Sequence, residues 1–227
     1  MISIENLGKS FGDKLIFKNV DCRIEEGHFV GIYGESGIGK STLAKILCGV
    51  LKPDEGRVML GGELLYSANT KYDRARGVQI QMVYQQPYSA LDLNQRIYDG
   101  FTELINYHHF ADSKAEADNL IEWLMEEVSL DPSILKHRPH QISGGEAQRI
   151  SIAKCLLFKP KLLILDEATS MLDVSTQANV IGLVRRVMEK HNGSVMLISH
   201  DNELVNAICD DIYVFENHGL YKTYEHV

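Results

Sequence analysis

Apolar residues along this chain fall into short runs whose period changes from one stretch to the next. Residues 28–33, His28-Phe29-Val30-Gly31-Ile32-Tyr33, are apolar and β-rich and predict a buried strand. Leu43, Ala44, Ile46 and Leu47 then recur at helical spacing, so a helix follows after a gap of only nine residues. Leu162-Leu163-Ile164-Leu165 is a continuous apolar run, the pattern of a parallel strand buried on both faces. Ser194-Val195-Met196-Leu197-Ile198 predicts another strand, and 212–215 a last one. Residues 1–84 read as short strands around the first strand–helix step. The middle differs: 86–157 reads as mostly helical, with Leu120, Ile121, Leu124, Met125 and Val128 forming one apolar face. The pattern predicts one α/β domain over 1–227, in which a core made of 1–85 and 158–227 is interrupted by a helical subdomain over 86–157.

The gap between the first strand and its helix reads Gly34-Glu35-Ser36-Gly37-Ile38-Gly39-Lys40-Ser41-Thr42, with the spacing G-x-x-x-x-G-K-[ST] of a phosphate loop. Without a Cβ, its glycines let the backbone take positive φ and close in on phosphates. Successive N–H groups then form an anion nest, and the helix start adds its positive dipole end. Lys40 is expected to reach the β- and γ-phosphates. Ser41 is expected to hold Mg²⁺, and Thr42 to face the α-phosphate. The second run ends in Asp166-Glu167. The carboxyl ends of strands are where open α/β sheets bind ligands, so Asp166 is a candidate for Mg²⁺ and Glu167 for polarising an attacking water. The third strand ends in Ser199-His200-Asp201, which offers His200 as a donor to a γ-phosphate. Binding of ATP with Mg²⁺, and hydrolysis of that ATP, is the chemistry these strand ends predict.

Composition narrows the setting. The chain has 227 residues, 44% of them hydrophobic, enough for a full core in one compact unit. A net charge of −8 argues against non-specific nucleic-acid binding. Met1 leads directly into a charged, strand-like segment, so no signal peptide is expected, and no apolar run approaches a membrane span. Cys22, Cys48, Cys155 and Cys209 form no C-x-x-C pair and read as small buried hydrophobes of a reducing compartment. His108-His109 is a poor metal site, because adjacent imidazoles do not easily share one ion and no Cys or carboxylate sits at ligand spacing.

One further segment is more specific than the phosphate loop. Ile142-Ser143-Gly144-Gly145-Glu146, followed by Ala147-Gln148-Arg149, resembles the L-S-G-G-Q signature of ATP-binding cassette (ABC) proteins, with Ile142 and Glu146 as departures. It opens a helix predicted over 146–157 and so offers a second anion site. The resemblance runs along the whole chain. It implies an α/β fold with a P-loop NTPase (RecA-like) core, an N-terminal antiparallel β region and an inserted α-helical subdomain. It also implies that Phe11 stacks on adenine, that Gln85 touches Mg²⁺ and the attacking water, and that Asp173, in Ser170-Met171-Leu172-Asp173, lies on a loop passing between subunits. Two such cassettes are expected to close head-to-tail on two ATP molecules, with Ser143, Gly144 and Gly145 of one clamping the γ-phosphate held by Lys40 of the other. Gln85 would then mark the hinge on which the helical subdomain turns.

The absence of a long heptad run speaks against the chromosome-maintenance branch, and the single phosphate loop against soluble factors with two cassettes in one chain. Residues 82–92 and 138–146 resemble the oligopeptide and nickel importer group, in which two different ATPases pair beneath two membrane subunits; the shorter ATPase of the nickel systems is the nearest pattern. The chain ends soon after the last predicted strand, so neither a regulatory domain nor most of the C-terminal extension common in that group is expected. Expected partners are a second ABC ATPase, identical or different, and transmembrane permease subunits. An extracytoplasmic substrate-binding protein would be reached indirectly, and no nucleic acid is expected. The expected location is the cytoplasmic face of the membrane, with Tyr84 and Tyr88 near the groove for a membrane subunit. A cassette of another transporter, or a soluble regulatory ATPase, remains the alternative.

Overall fold

A computed structural model describes residues 1–169 and 174–223. The first elements are β1 (Ile2–Phe11), β2 (Lys14–Ile24), β3 (Phe29–Tyr33), α1 (Lys40–Leu47), β4 (Glu55–Leu60), β5 (Glu63–Ser67), α2 (Arg74–Gly77) and β6 (Ile80–Val83). Next come the helices α3 (Ile97–His108), α4 (Lys114–Glu127) and α5 (Gly144–Leu156). The chain continues with β7 (Leu162–Asp166), α6 (Val174–Lys190), β8 (Ser194–Ser199), α7 (Asn202–Ile208), β9 (Asp211–Glu216) and β10 (Gly219–Thr223). Contacts group them into two compact units. One holds Met1–Met82, Pro160–Glu167 and the described residues from Met188 onward; the other holds Val83–Lys159 and Ala168–Val187.

The first unit contains two sheets. An antiparallel sheet has the order β2-β1-β4-β5, and a mixed sheet has the order β10-β9-β3-β8-β7-β6. In the mixed sheet β3 pairs in parallel with both β8 and β9, and β7 in parallel with β8. The residues of β7 and β8 are buried throughout, as a strand covered on both faces requires, whereas β2 alternates between buried and exposed positions. Register is the feature that matters for function. Tyr33 lies opposite Ser199 and Val214, and Asp166 lies opposite Ile198. The carboxyl ends of four strands therefore share one edge. In the antiparallel sheet, β1 bends at Asn6 (φ 49°), and Gly56 sits so close that a Cβ would lie 2.3 Å from Asn6 O.

The second unit is helical. On α4, Ile121, Leu124 and Met125 are buried, as is Val128 just beyond it, while Leu120 is half-buried, so the predicted apolar face is centred one position further round the helix. Ser113 caps α4 by accepting from Glu116 N–H at 3.2 Å. The His108 ring stacks on Phe110 and meets Phe158 edge-on, with centroids 5.3 and 4.9 Å apart, and His109 ends α3 in the left-handed region at φ 55°. No described helix is long and apolar enough to cross a membrane.

Candidate functional site

The strand β3 delivers Gly34 to the sheet edge beside β9. A Cβ there would lie 2.5 Å from Phe215 O, so only glycine lets the loop leave the strand this close to its neighbour. Gly37 has φ 79°, and Gly39, the residue that caps α1, has φ 127°. A Cβ on Gly39 would also come within 2.8 Å of Ile16 Cγ2 on β2. Leu43 N–H bonds to Gly39 O at 3.0 Å, one turn inside α1. As at any helix start, the N–H groups of Lys40, Ser41 and Thr42 have no partner a turn back and stay available to an anion. The Lys40 side chain curls over the loop, donating from Nζ to Gly34 O at 2.7 Å and Glu35 O at 2.8 Å. Burial lowers its pKa from the usual lysine value, while the carboxylates of Glu167 and Asp166 pull the other way. Glu35 and Ile38 line the cavity above the loop, and Ser36 is exposed.

Asp166, the last residue of β7, is only 8% exposed. Its Oδ1 accepts from Ser41 Oγ at 2.9 Å, across 125 positions of sequence. Burial pushes its carboxyl up from the ordinary aspartate value; the Ser41 hydrogen bond opposes the rise, and the Glu167 carboxylate adds to it. Glu167 follows in the left-handed region at φ 49°, unusual for a residue with a side chain, and its N–H donates to Ile198 O at 3.0 Å. The turn brings Glu167 Oε1 to 3.8 Å from His200 Nδ1, an ion-pair distance longer than a hydrogen bond. His200 is largely exposed, just past β8. Lys40, Ser41, Asp166, Glu167 and His200 thus come together on one edge from three stretches of chain.

A cavity of about 580 Å³ opens on that edge, lined by Gly34, Glu35 and His200 and walled by Phe215, Glu216 and Asn217. The wall residues were not among the sequence candidates. They arrive because β9 pairs with β3, and the two-residue turn at Asn217 and His218 (φ 46° and 61°) folds β10 back. The Asn-His-Gly hairpin signal was readable; its place beside the phosphate loop was not. Phe11 ends β1 and is 49% exposed, with Lys9 Nζ 5.3 Å from its ring centroid.

The signature segment belongs to the second unit. Its helix α5 begins at Gly144, two residues before the predicted start, because Ser143 caps it. Glu146 Oε2 accepts from Ser143 N–H at 2.7 Å and from Ser143 Oγ at 2.7 Å, while Glu146 N–H donates to Ser143 Oγ at 3.3 Å. This is a capping box, a feature absent from the sequence expectations although the spacing S-x-x-E announces it. The backbone N–H and then the hydroxyl of Ser143 hold the Glu146 carboxyl below the usual glutamate range. Ser143 and Gly144 are exposed. Gln85 lies three residues past Met82, where the first unit's opening segment ends. Tyr88 Oη donates to Ile142 O at 3.1 Å. Asp173 lies outside the described residues.

Comparison with known proteins gives one consistent answer. The family model described as "ABC transporter" matches residues 17–170. The "Nickel import ATP-binding protein NikE" of Escherichia coli (strain K12) is 36% identical over 208 residues, covering 92% of this chain and 77% of that protein. The "Oligopeptide transport ATP-binding protein OppF" of Haemophilus influenzae is 33% identical over 227 residues, covering 94% and 68%. Among solved structures, the ATP-binding cassette MJ0796, as a dimer in a post-hydrolysis state bound to ADP and Pi, superposes with a TM-score of 0.82 at 26% identity, covering 98% of each chain. The cbiO1 structure from Clostridium perfringens, part of the ABC transporter complex cbiONQ, shares the fold with a TM-score of 0.83 at 24% identity, covering 97% of this chain and 86% of that one.

Proposed function

The chain belongs to the ABC transporter family, as an ATPase domain of it, and from that premise we propose that it is the ATP-hydrolysing subunit of an importer for nickel, peptides or a metal chelate. The observation that carries the reading is the Ser41–Asp166 hydrogen bond of 2.9 Å beside the Lys40 ammonium. It joins a phosphate cradle to a buried carboxylate on one sheet edge.

In this reading the phosphate loop, residues 34–42, wraps ATP with its N–H groups. Lys40 gives up the carbonyls of Gly34 and Glu35 for phosphate oxygens. The residues present also fit Mg²⁺. The Ser41 hydroxyl and the Asp166 carboxylate are adjacent hard oxygen donors, and Asp166 is a buried acid whose charge a cation would stabilise. When bound there, the ion would neutralise charge on the phosphates during transfer. Gln85 would add a contact to the metal side. Glu167 accepts the proton of the attacking water, and His200, whose Nδ1 lies 3.8 Å from Glu167 Oε1, donates to the γ-phosphate. Phe11, exposed at the end of the first hairpin, stacks on adenine. The site is completed by Ser143, Gly144 and Gly145 of a second cassette, with Glu146 at the same helix start and Asp173 in the segment that would pass between the two subunits.

The working unit is thus a head-to-tail pair of cassettes, with itself or with a different ATPase, attached beneath permease subunits at the cytoplasmic face of the membrane. An extracytoplasmic binding protein feeds those subunits, and nucleic acid has no part. The similarity to NikE and OppF supports the cargo class. The test is Glu167→Gln. The variant is expected to bind ATP, hydrolyse it at least 100-fold more slowly, and bring membrane subunits with it when captured from its own membranes in ATP and Mg²⁺. Hydrolysis at the wild-type rate would remove Glu167 from its role. Recovery of soluble partners alone would refute the importer assignment.

A further inference from the structure

The signature serine is committed before any phosphate reaches it. Both donors of Ser143, its backbone N–H and its hydroxyl, point at one oxygen of Glu146, each at 2.7 Å. The hydroxyl's own acceptor capacity is shared with Glu146 N–H at 3.3 Å. Among the described residues, the N–H groups at this helix start that remain for an incoming anion are those of Gly144 and Gly145. The carboxylate beside them carries a full negative charge at neutral pH. Its cationic neighbour is Arg149, which also donates to Ser129 O at 3.2 Å. The segment is a phosphate clamp with its hydroxyl donor turned inward and an anion next to its N–H groups.

We propose that Glu146 is a positioning residue that restrains ATP-driven closure: it holds the Ser143 hydroxyl away from the phosphate presented by a second cassette and sets a fixed like charge beside that phosphate. The inference rests on the clamp role proposed above for Ser143, Gly144 and Gly145. Two consequences follow with the same sign. Before the clamp can engage fully, the Ser143 hydroxyl must leave a charged acceptor, which makes the stronger class of hydrogen bond. Once engaged, the carboxylate and the phosphate repel each other. A glutamine at 146 has the same shape, and its amide oxygen still accepts from Ser143 N–H, so the cap persists while the charge is gone. For like charges about 6 Å apart in a partly hydrated interface, Coulomb's law at an effective dielectric near 60 gives roughly a fivefold effect at each site to which this segment contributes.

The test uses the assembled complex, captured through a tag on this chain, and reads the ATP concentration that half-saturates hydrolysis. Glu146→Gln is expected to lower that concentration about threefold to tenfold. An unchanged or higher value would overturn the inference. Glu146→Asp keeps the charge but, one methylene shorter, gives up the cap. It is expected to lower the melting temperature and to reduce the half-saturating concentration less than Glu146→Gln does. A fall in melting temperature in both variants, with no shift in half-saturation in either, would show a structural cap only and would also overturn it. ATP binding by the isolated wild-type chain is measured alongside. Without such binding the proposed function itself fails; with it, an unshifted Glu146→Gln overturns only the restraint assigned to Glu146.

Discussion

Replacing Ser41 by alanine removes one hydrogen bond and little else. The Oγ of Ser41 donates to Asp166 Oδ1 at 2.9 Å, and the acceptor is a carboxylate only 8% exposed. A hydrogen bond to a charged group contributes about 1.5–3 kcal/mol, so roughly 2 kcal/mol is at stake in the nucleotide-free protein. Its pH dependence has a definite sign. Burial raises the Asp166 pKa above its unfolded value, so Asp166 adds its share of stability at low pH and loses it as pH rises through the folded pKa. The Ser41 bond favours the ionised form and offsets that loss, so its contribution is present above the folded pKa and fades below it. Ser41→Ala should therefore cost about 2 kcal/mol at pH 7.5, or about 4–8 °C in melting temperature for a domain of this size. The cost should shrink as pH falls into the acid range. Unfolding followed by circular dichroism at several pH values, without nucleotide, reads both quantities. A cost that is absent at pH 7.5, or that does not change with pH, would refute the reasoning. In the same variant the Mg²⁺-dependent part of ATP affinity should fall at least tenfold, measured as the difference in affinity with and without the ion.

Two more substitutions probe the supports of the site. Phe215 is 1% exposed, packs edge-on against Phe17 with centroids 5.7 Å apart, and its carbonyl abuts Gly34; Phe215→Ala should cost about 3–5 kcal/mol in denaturant unfolding and weaken ATP binding as well. An unchanged ATP affinity in a destabilised but folded variant would mean that the ring supports the core alone. Gln148 in α5 is 2% exposed, and its Nε2 has no hydrogen-bond partner among the described residues. Gln148→Met should therefore stabilise the protein by about 1 kcal/mol, seen as a rise of about 2–4 °C in melting temperature, and a fall instead would mean that the amide is satisfied.

Much of the site was legible because local rules govern it. The strand before Gly34, the glycine spacing and the apolar period after Lys40 describe one strand–loop–helix step, whose geometry needs no distant residue. The Ser143–Glu146 box is equally local, written as S-x-x-E, in a segment whose Ser-Gly-Gly core also fits phosphate binding. Phe215, Glu216 and Asn217 could not have been placed in the same way. Their position depends on β9 pairing with β3, some 180 residues away, and a period of apolar residues carries no information on strand order. The positive φ of Glu167 was hidden for a related reason, since nothing in Asp166-Glu167 shows that the chain must turn there to reach Ile198 O.

The sequence alone determined the chemical groups and their local settings: a lysine and a serine on a glycine loop, two carboxylates at the end of an apolar run, and a serine at a helix start. Each follows from backbone freedom, side-chain chemistry or hydrophobic period within about ten residues. Tertiary structure decided which of them meet. Parallel pairing aligned Tyr33, Asp166, Ser199 and Val214 at one edge, and only that alignment brings Ser41 within 2.9 Å of Asp166 and Glu167 within 3.8 Å of His200. The physical reason is that strand register is a collective property, selected by burial of whole sheet faces and by long-range hydrogen bonding, and no single segment contains it.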